Sequence, residues 1–181
     1  MRLRPVSLTV AAVAALGVLG MVGWDFLQLG RSIPPLARAP ERATSIVVEK
    51  SMRRLSLMRG AMPIRTFDVV LGSSPVGHKQ QEGDGRTPEG VYVIDFKNPK
   101  SRFHLALRIS YPNMEDRKRA ERNGMSPGSD IMVHGLPNGL GWLGVWHLRR
   151  DWTDGCIAVT DAQIEEIWAL VDVGTRIDIR P

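Results

Sequence analysis

The chain has no second cysteine. With Cys156 alone, no internal disulfide can staple the fold, so a packed core has to hold it together. Metal-ligand spacing is lacking too. His78, His104, His134 and His147 stand at no ligand spacing from one another or from Cys156, so no metal site is expected. Helix-turn-helix, zinc-finger and RNP signatures are missing, and the formal charge of +5 therefore does not select nucleic acid as a partner. Gly72 to Lys79 approaches a phosphate loop, but His78 intervenes and neither Ser nor Thr follows the lysine. A nucleotide is excluded on that ground, and no cofactor is expected.

Long apolar runs are scarce, with one exception. Between Arg4 and Asp25 no residue is charged. At about 1.5 Å rise per residue, that run matches a bilayer core of about 30 Å. Residues 1–29 are therefore expected to form a membrane anchor or signal segment. Ala37-Arg38-Ala39 has the small-x-small pattern of a cleavage site, but it lies far from the run and Pro40 follows it, which favours an uncleaved anchor. No cysteine sits nearby to accept a lipid. Arg2 and Arg4 would keep this end cytoplasmic, so the rest is expected in the periplasm, anchored at the inner membrane or released there if the segment is cleaved. Residues 30–43 carry three prolines and three arginines without apolar periodicity and read as a stalk. One domain, residues 44–181, should follow.

Gly and Pro are frequent and apolar stretches short, which points to a mostly β fold. Ser45 to Leu57 alternates around Glu49 to Ser51 like a hairpin, and Thr66–Leu71, Val91–Phe96, His104–Ile109 and Thr175–Ile179 are further strands. Asn113 to Asn123 reads as a solvated surface helix, acidic early and basic late. Thr160 with Gln163 makes a capping box for a second helix, which buries Ile164, Ile167, Trp168 and Val171 and stops at Gly174.

The reactive side chains sit together in residues 130–160. His134 closes the apolar run Ile131, Met132, Val133, and Cys156 follows Gly155; a Gly- and Trp-rich loop separates them. We read strand, long flap, strand. A free thiol has a pKa near 8.5, so only about a few per cent is thiolate at neutral pH and a base is needed. His134 can supply one. Gly155 permits unusual dihedrals and close substrate approach, and the turn amides from Thr153 to Cys156 can face a developing oxyanion. His147 reads as an exposed flap histidine, Trp142, Trp146 and Trp152 as flap packing or substrate contacts, and Arg149 and Arg150 as solvated or carboxylate-binding.

His134-Gly135, a glycine-rich flap and Thr153-Asp154-Gly155-Cys156 resemble the signature of the L,D-transpeptidases, the YkuD-type catalytic domain. The upstream stretches LGSSPVGHK, GDGRTPEGVY and SRFHLALRISYPN are similar as well. The sequence departs from the pattern in three places. The flap is one residue longer than usual, Asp154 replaces a second histidine, and Ala158 replaces the usual Asn or Arg.

The resemblance implies a β-sandwich of mixed sheets with one or two peripheral helices, working on peptidoglycan stem peptides as a monomer. It implies attack by Cys156 on the third residue's carbonyl in a tetrapeptide and release of the terminal D-alanine. His134 would shuttle the proton, the Gly135 carbonyl orient the imidazole, and Thr153, Asp154 and Gly155 line the oxyanion and substrate side. An amine acceptor would then resolve the thioester. Two other functions remain open: a hydrolase or L,D-carboxypeptidase in which water resolves the same thioester, and a non-catalytic wall-binding module.

Overall fold

A computed structural model of the chain describes residues 32–181. The expected N-terminal anchor lies outside the described residues. Among those described, no helix is long and apolar enough to cross a membrane. Pro34 to Pro181 form one compact unit.

Eight strands build it: β1 (Ser45–Glu49), β2 (Arg54–Arg59), β3 (Met62–Asp68), β4 (Gly90–Ser101), β5 (His104–Ile109), β6 (Met132–His134), β7 (Ile157–Ala158) and β8 (Arg176–Arg180). Their order is β3-β2-β1-β8-β4-β5-β6-β7. The β1–β8 and β6–β7 pairs are parallel and the others antiparallel, which makes the sheet mixed. The two sheets implied by the resemblance are thus halves of one continuous sheet. β4 links them. Its first residues pair with β8, and after a register shift between Ile94 and Phe96 the rest pairs with β5. Such an irregularity bends a strand and sharpens its twist. Beyond β3, Val70 bridges Ala158 of β7, which ties the two ends of the sheet together around a shared core.

Alternation puts Ile46 and Val48 of β1 and Leu55 and Leu57 of β2 into that core, where they meet Leu107, Ile109, Val133 and Ile157 from the other half. The hairpin expected around Glu49 to Ser51 is present, with β1 and β2 in antiparallel register. Helix α1 (Met114–Arg122) has a capping box from Asn113 and Asp116. It is not merely a solvated helix. Asp116 is buried against the Tyr92 hydroxyl and His78, and Arg119 meets the same histidine.

Helix α2 (Asp161–Leu170) carries the expected Thr160–Gln163 capping box and buries Ile164, Ile167 and Trp168. It ends earlier than expected, with Val171 as its C-cap and Gly174 in the following turn. Lys97 is the reason visible in the structure: its Nζ donates to the Trp168 and Val171 carbonyls and lies 4.4 Å from the Trp168 ring centroid. The proline- and arginine-rich segment also docks here, where the Ala37 and Ala43 amides donate to the carbonyls of Ala169 and Leu170.

The loop from Lys79 to Glu89 is built around Asp84, which accepts from Lys79 Nζ at 2.8 Å and from the amides of Gln80, Gln81 and Arg86. Burial alone would raise its pKa. The Lys79 bond and the three amides overcome this and hold it at about 2. Asp84→Ala would strand the buried Lys79 ammonium and is expected to cost about 3 kcal/mol in urea unfolding. Because the folded pKa lies below the ordinary 3.8, this carboxylate's stabilisation is complete above that value. It fades as pH falls through about 2, so acid titration of the wild type should show a step that the variant lacks.

Candidate active site

β6 and β7 position His134 and Cys156. Their parallel register sets Val133 beside Ile157 and His134 beside Ala158. Val133 and Ile157 face the core, so alternation turns His134, Ala158 and Cys156 to the opposite face. Cys156 stands two residues before the direct partner of His134, a diagonal neighbour across the ladder. The side chain of Cys156 is partly exposed. Its Sγ lies 3.7 Å from the Asp130 carbonyl oxygen, and the Met132 amide also donates toward the sulfur.

His134 is almost fully buried, and its Nδ1 is 2.7 Å from the Gly135 carbonyl oxygen. A carbonyl can only accept, so Nδ1 carries the proton and Nε2 is left as the basic nitrogen. Two rings fix its plane: Phe103 at 4.5 Å between centroids and Trp152 at 6.0 Å. Burial lowers the His134 pKa to about 4, against the opposing pull of the Gly135 carbonyl and with a smaller push from His147. Burial also raises the Cys156 thiol, helped by the nearby Asp154 carboxylate. At neutral pH the Cys156 thiol and the His134 imidazole are therefore both uncharged. A base that must be unprotonated to act fails only below its own pKa, so the acid limb of kcat/KM is expected near pH 4 instead of near 6.5. A pH–rate profile checks this, and a limb at 6.5 would contradict the burial of His134.

The Cys156 turn is gripped from behind. Thr153 Oγ1 donates to the Cys156 carbonyl at 2.7 Å and accepts the Gly155 amide at 3.2 Å. Its backbone exchanges bonds with the segment after β3: Thr153 N to Leu71 O, and Ser73 N to Thr153 O. Gly155 has φ +127°, and a Cβ there would stand 2.6 Å from the Arg86 carbonyl oxygen. The loop that superficially resembled a phosphate site is thus a brace for the cysteine turn. Thr87 contributes to it by accepting the Gly72 amide.

The structure places the other sequence candidates as follows. Asp154 is exposed at the tip of the turn, Thr153 and Gly155 are buried, and Ala158 is fully buried in β7. His147 corrects the sequence reading: it is buried, with Nδ1 facing the Trp152 indole N–H at 3.4 Å. The flap is not loose coil either, because Gly141–Arg149 forms 3-10 turns kinked at Gly144. Trp142 and Trp146 are exposed on it. Phe103 went unrecognised in the sequence, since nothing in Ser101-Arg102-Phe103 marks it. His104 also pairs unexpectedly, with Glu165 at 2.7 Å. Asp161 accepts the Leu136 amide and so holds the start of the flap. Among the described residues no cluster could hold a metal ion.

A mixed β fold that carries a buried histidine and a lone cysteine on one face of adjacent strands defines a cysteine–histidine domain of the L,D-transpeptidase class. The L,D-transpeptidase catalytic domain model, YkuD, matches residues 43–179, and the chain belongs to that family. YafK of Escherichia coli, an L,D-transpeptidase by name, is 31% identical over 108 residues, which are 59% of this chain and 36% of YafK. The helical cell shape determining protein Pgp2 of Campylobacter jejuni shares the fold, with TM-score 0.57 and 23% identity over 84% of this chain and 51% of Pgp2. Bd1075 of Bdellovibrio bacteriovorus gives TM-score 0.52 and 25% identity over 82% of this chain and 51% of Bd1075. The chain spans about a third to a half of the length of these relatives.

Proposed function

We propose that this domain modifies peptidoglycan by cysteine-dependent acyl transfer on stem peptides. The observation that supports this most is the His134 arrangement. The Gly135 carbonyl fixes its tautomer, and its ring lies on the same strand face as the only thiol of the chain, in a family of L,D-transpeptidases. In this reading, Cys156 Sγ attacks the carbonyl of the third residue while its proton passes to His134 Nε2. The tetrahedral oxyanion is held by backbone N–H groups of the Asp154–Cys156 turn, with those of Asp154 and Cys156 ahead of that of Gly155, which already serves Thr153. Collapse breaks the C–N bond, and His134 returns the proton to the departing D-alanine. An amine acceptor then resolves the thioester. The N-terminal apolar segment would hold the domain on the periplasmic side of the inner membrane.

A second reading replaces the amine with water, and the exposed carboxylate of Asp154, close enough to Cys156 to act on its charge, favours it. Incubation with labelled disaccharide tetrapeptide, read by mass spectrometry, separates the two. Cross-linked dimers are expected for transfer, and only trimmed monomers for hydrolysis. An unchanged substrate, together with a Cys156 that reacts with iodoacetamide no faster than a model thiol, would leave a wall-binding module.

A further inference from the structure

The flap has an inner and an outer side. On the inner side the Trp152 indole can only donate, so His147 Nδ1 accepts, and the buried Nε2 N–H is left without a partner beneath the flap. On the outer side Trp142 is 78% exposed, Val145 65% and Trp146 62%, and Leu140 is exposed where the 3-10 turns begin. Trp152 and Trp168 are at least partly covered, so among the described residues the exposed tryptophans are both on the flap. Apolar side chains gathered in water on one short segment mark a contact surface.

Their chemistry selects the partner. From Gly139 to Trp146 the only side-chain groups able to hydrogen-bond are the two indole N–H groups. A glycan chain, whose hydroxyls each need a donor or acceptor, is poorly served by such a face. Arg149 and Arg150 follow, both exposed, with Arg149 stacked 4.0 Å over the Trp146 ring. No acidic residue occurs between Asp130 and Asp151, so the flap carries positive charge only. Tryptophans that sit at headgroup level, an aliphatic side chain beside them and arginines for phosphates are the composition of a membrane-interface segment.

The chain length permits the contact. Helix α2 spaces the flap from the stalk: Asp161 at its start accepts the Leu136 amide, and Ala169 near its end accepts the Ala37 amide. That helix is about 15 Å long at its rise per residue. From Asp25, where the uncharged run ends, to Pro34 the chain can extend to at most about 30 Å. An anchored domain thus has enough tether to lay its flap on the bilayer that holds it, and tethering keeps a small patch at high effective concentration there.

We propose that the outer face of the flap docks on an anionic bilayer surface, with Trp142, Val145 and Trp146 among the lipid headgroups and Arg149 and Arg150 on their phosphates. The flap starts two residues after His134, so docking holds the rim of the active site at the membrane. The proposal rests on the reading of residues 1–29 as an anchor and is independent of which acceptor resolves the thioester.

The test uses the full chain reconstituted into vesicles of phosphatidylcholine, alone or mixed with phosphatidylglycerol, whose acyl chains are brominated near the headgroup so that contact quenches an indole. Trp24 emits in every sample, so the flap signal is the difference between wild type and the Trp142→Phe, Trp146→Phe variant. That difference is expected to be quenched, with a docked-to-free ratio on the order of tenfold higher when phosphatidylglycerol is present. Arg149→Gln with Arg150→Gln should bring the ratio down to its value in phosphatidylcholine alone. Flotation after an alkaline wash reports the anchor separately. Flap quenching in a chain that the wash strips off would keep the docking proposal and overturn the anchor. A chain that floats after the wash while its flap indoles stay unquenched would keep the anchor and overturn docking. Shielding of the flap indoles from iodide by peptide-free glycan strands, without bromolipid quenching, would assign this face to sugar and overturn docking as well.

Discussion

Cys156→Ala is expected to lose at least about 10⁴-fold in turnover of a stem tetrapeptide, because no other side chain on that strand face can form the covalent intermediate. The protein should still fold. Cys156 is only partly buried, its sulfur makes a long contact with the Asp130 carbonyl and accepts weakly from the Met132 amide, and removing one sulfur atom should shift stability by no more than about 1 kcal/mol. Intact-mass analysis with substrate should show an acyl adduct on the wild type and none on the variant. His134→Ala should cost less, on the order of 10² to 10⁴-fold, since a thiol with its base removed can still lose a proton to solvent. This ordering discriminates between roles. Equal losses would mean that the two groups act only as a unit, and retained turnover in Cys156→Ala would end the acyl-enzyme reading altogether.

Gly155→Ala is the second large effect, and it works through the backbone. At φ +127° an L side chain is strained, and the added Cβ would press to 2.6 Å from the Arg86 carbonyl oxygen, a main-chain atom with no rotamer to escape into. Strain and overpacking together should destabilise the domain by about 3 kcal/mol or more, and should move the Cys156 turn off its brace. Thermal unfolding should show the loss of stability, and kcat/KM below the melting range should fall as well. Gly174→Ala is the control. That glycine also has positive φ, but no atom lies within 4 Å of the added carbon, so its cost should be the smaller, conformational part alone. If Gly155→Ala and Gly174→Ala were equally mild, the contact between Arg86 and the cysteine turn would have no energetic meaning.

Much of this could be read from local pattern. Alternating burial in β1, the hairpin at Glu49, the boundaries of β5 and the Thr160–Gln163 helix cap follow from period and capping chemistry, which are properties of neighbours in sequence. Cys156 and His134 stood out for the same reason: their rarity and setting are visible one residue at a time. His147 and Asp116 were misread because burial is not local. A histidine in a glycine-rich loop and an aspartate in a charged helix look solvated until another element packs over them, here Trp152 for the one, Tyr92 and His78 for the other.

The sequence by itself determined that one thiol is available, that a histidine two strands' reach away is its candidate partner, and that the fold is mostly β. Only the tertiary structure decided which nitrogen of His134 is basic, since that depends on the direction of the Gly135 carbonyl. It alone decided that the glycine-rich loop braces Cys156, that the sheet halves join through β4, and that His147 keeps an unspent N–H under the flap. The physical reason is common to all four. Hydrogen-bond direction and steric contact are set between atoms far apart in the chain, and a sequence pattern specifies which face a residue takes without specifying what it will meet there.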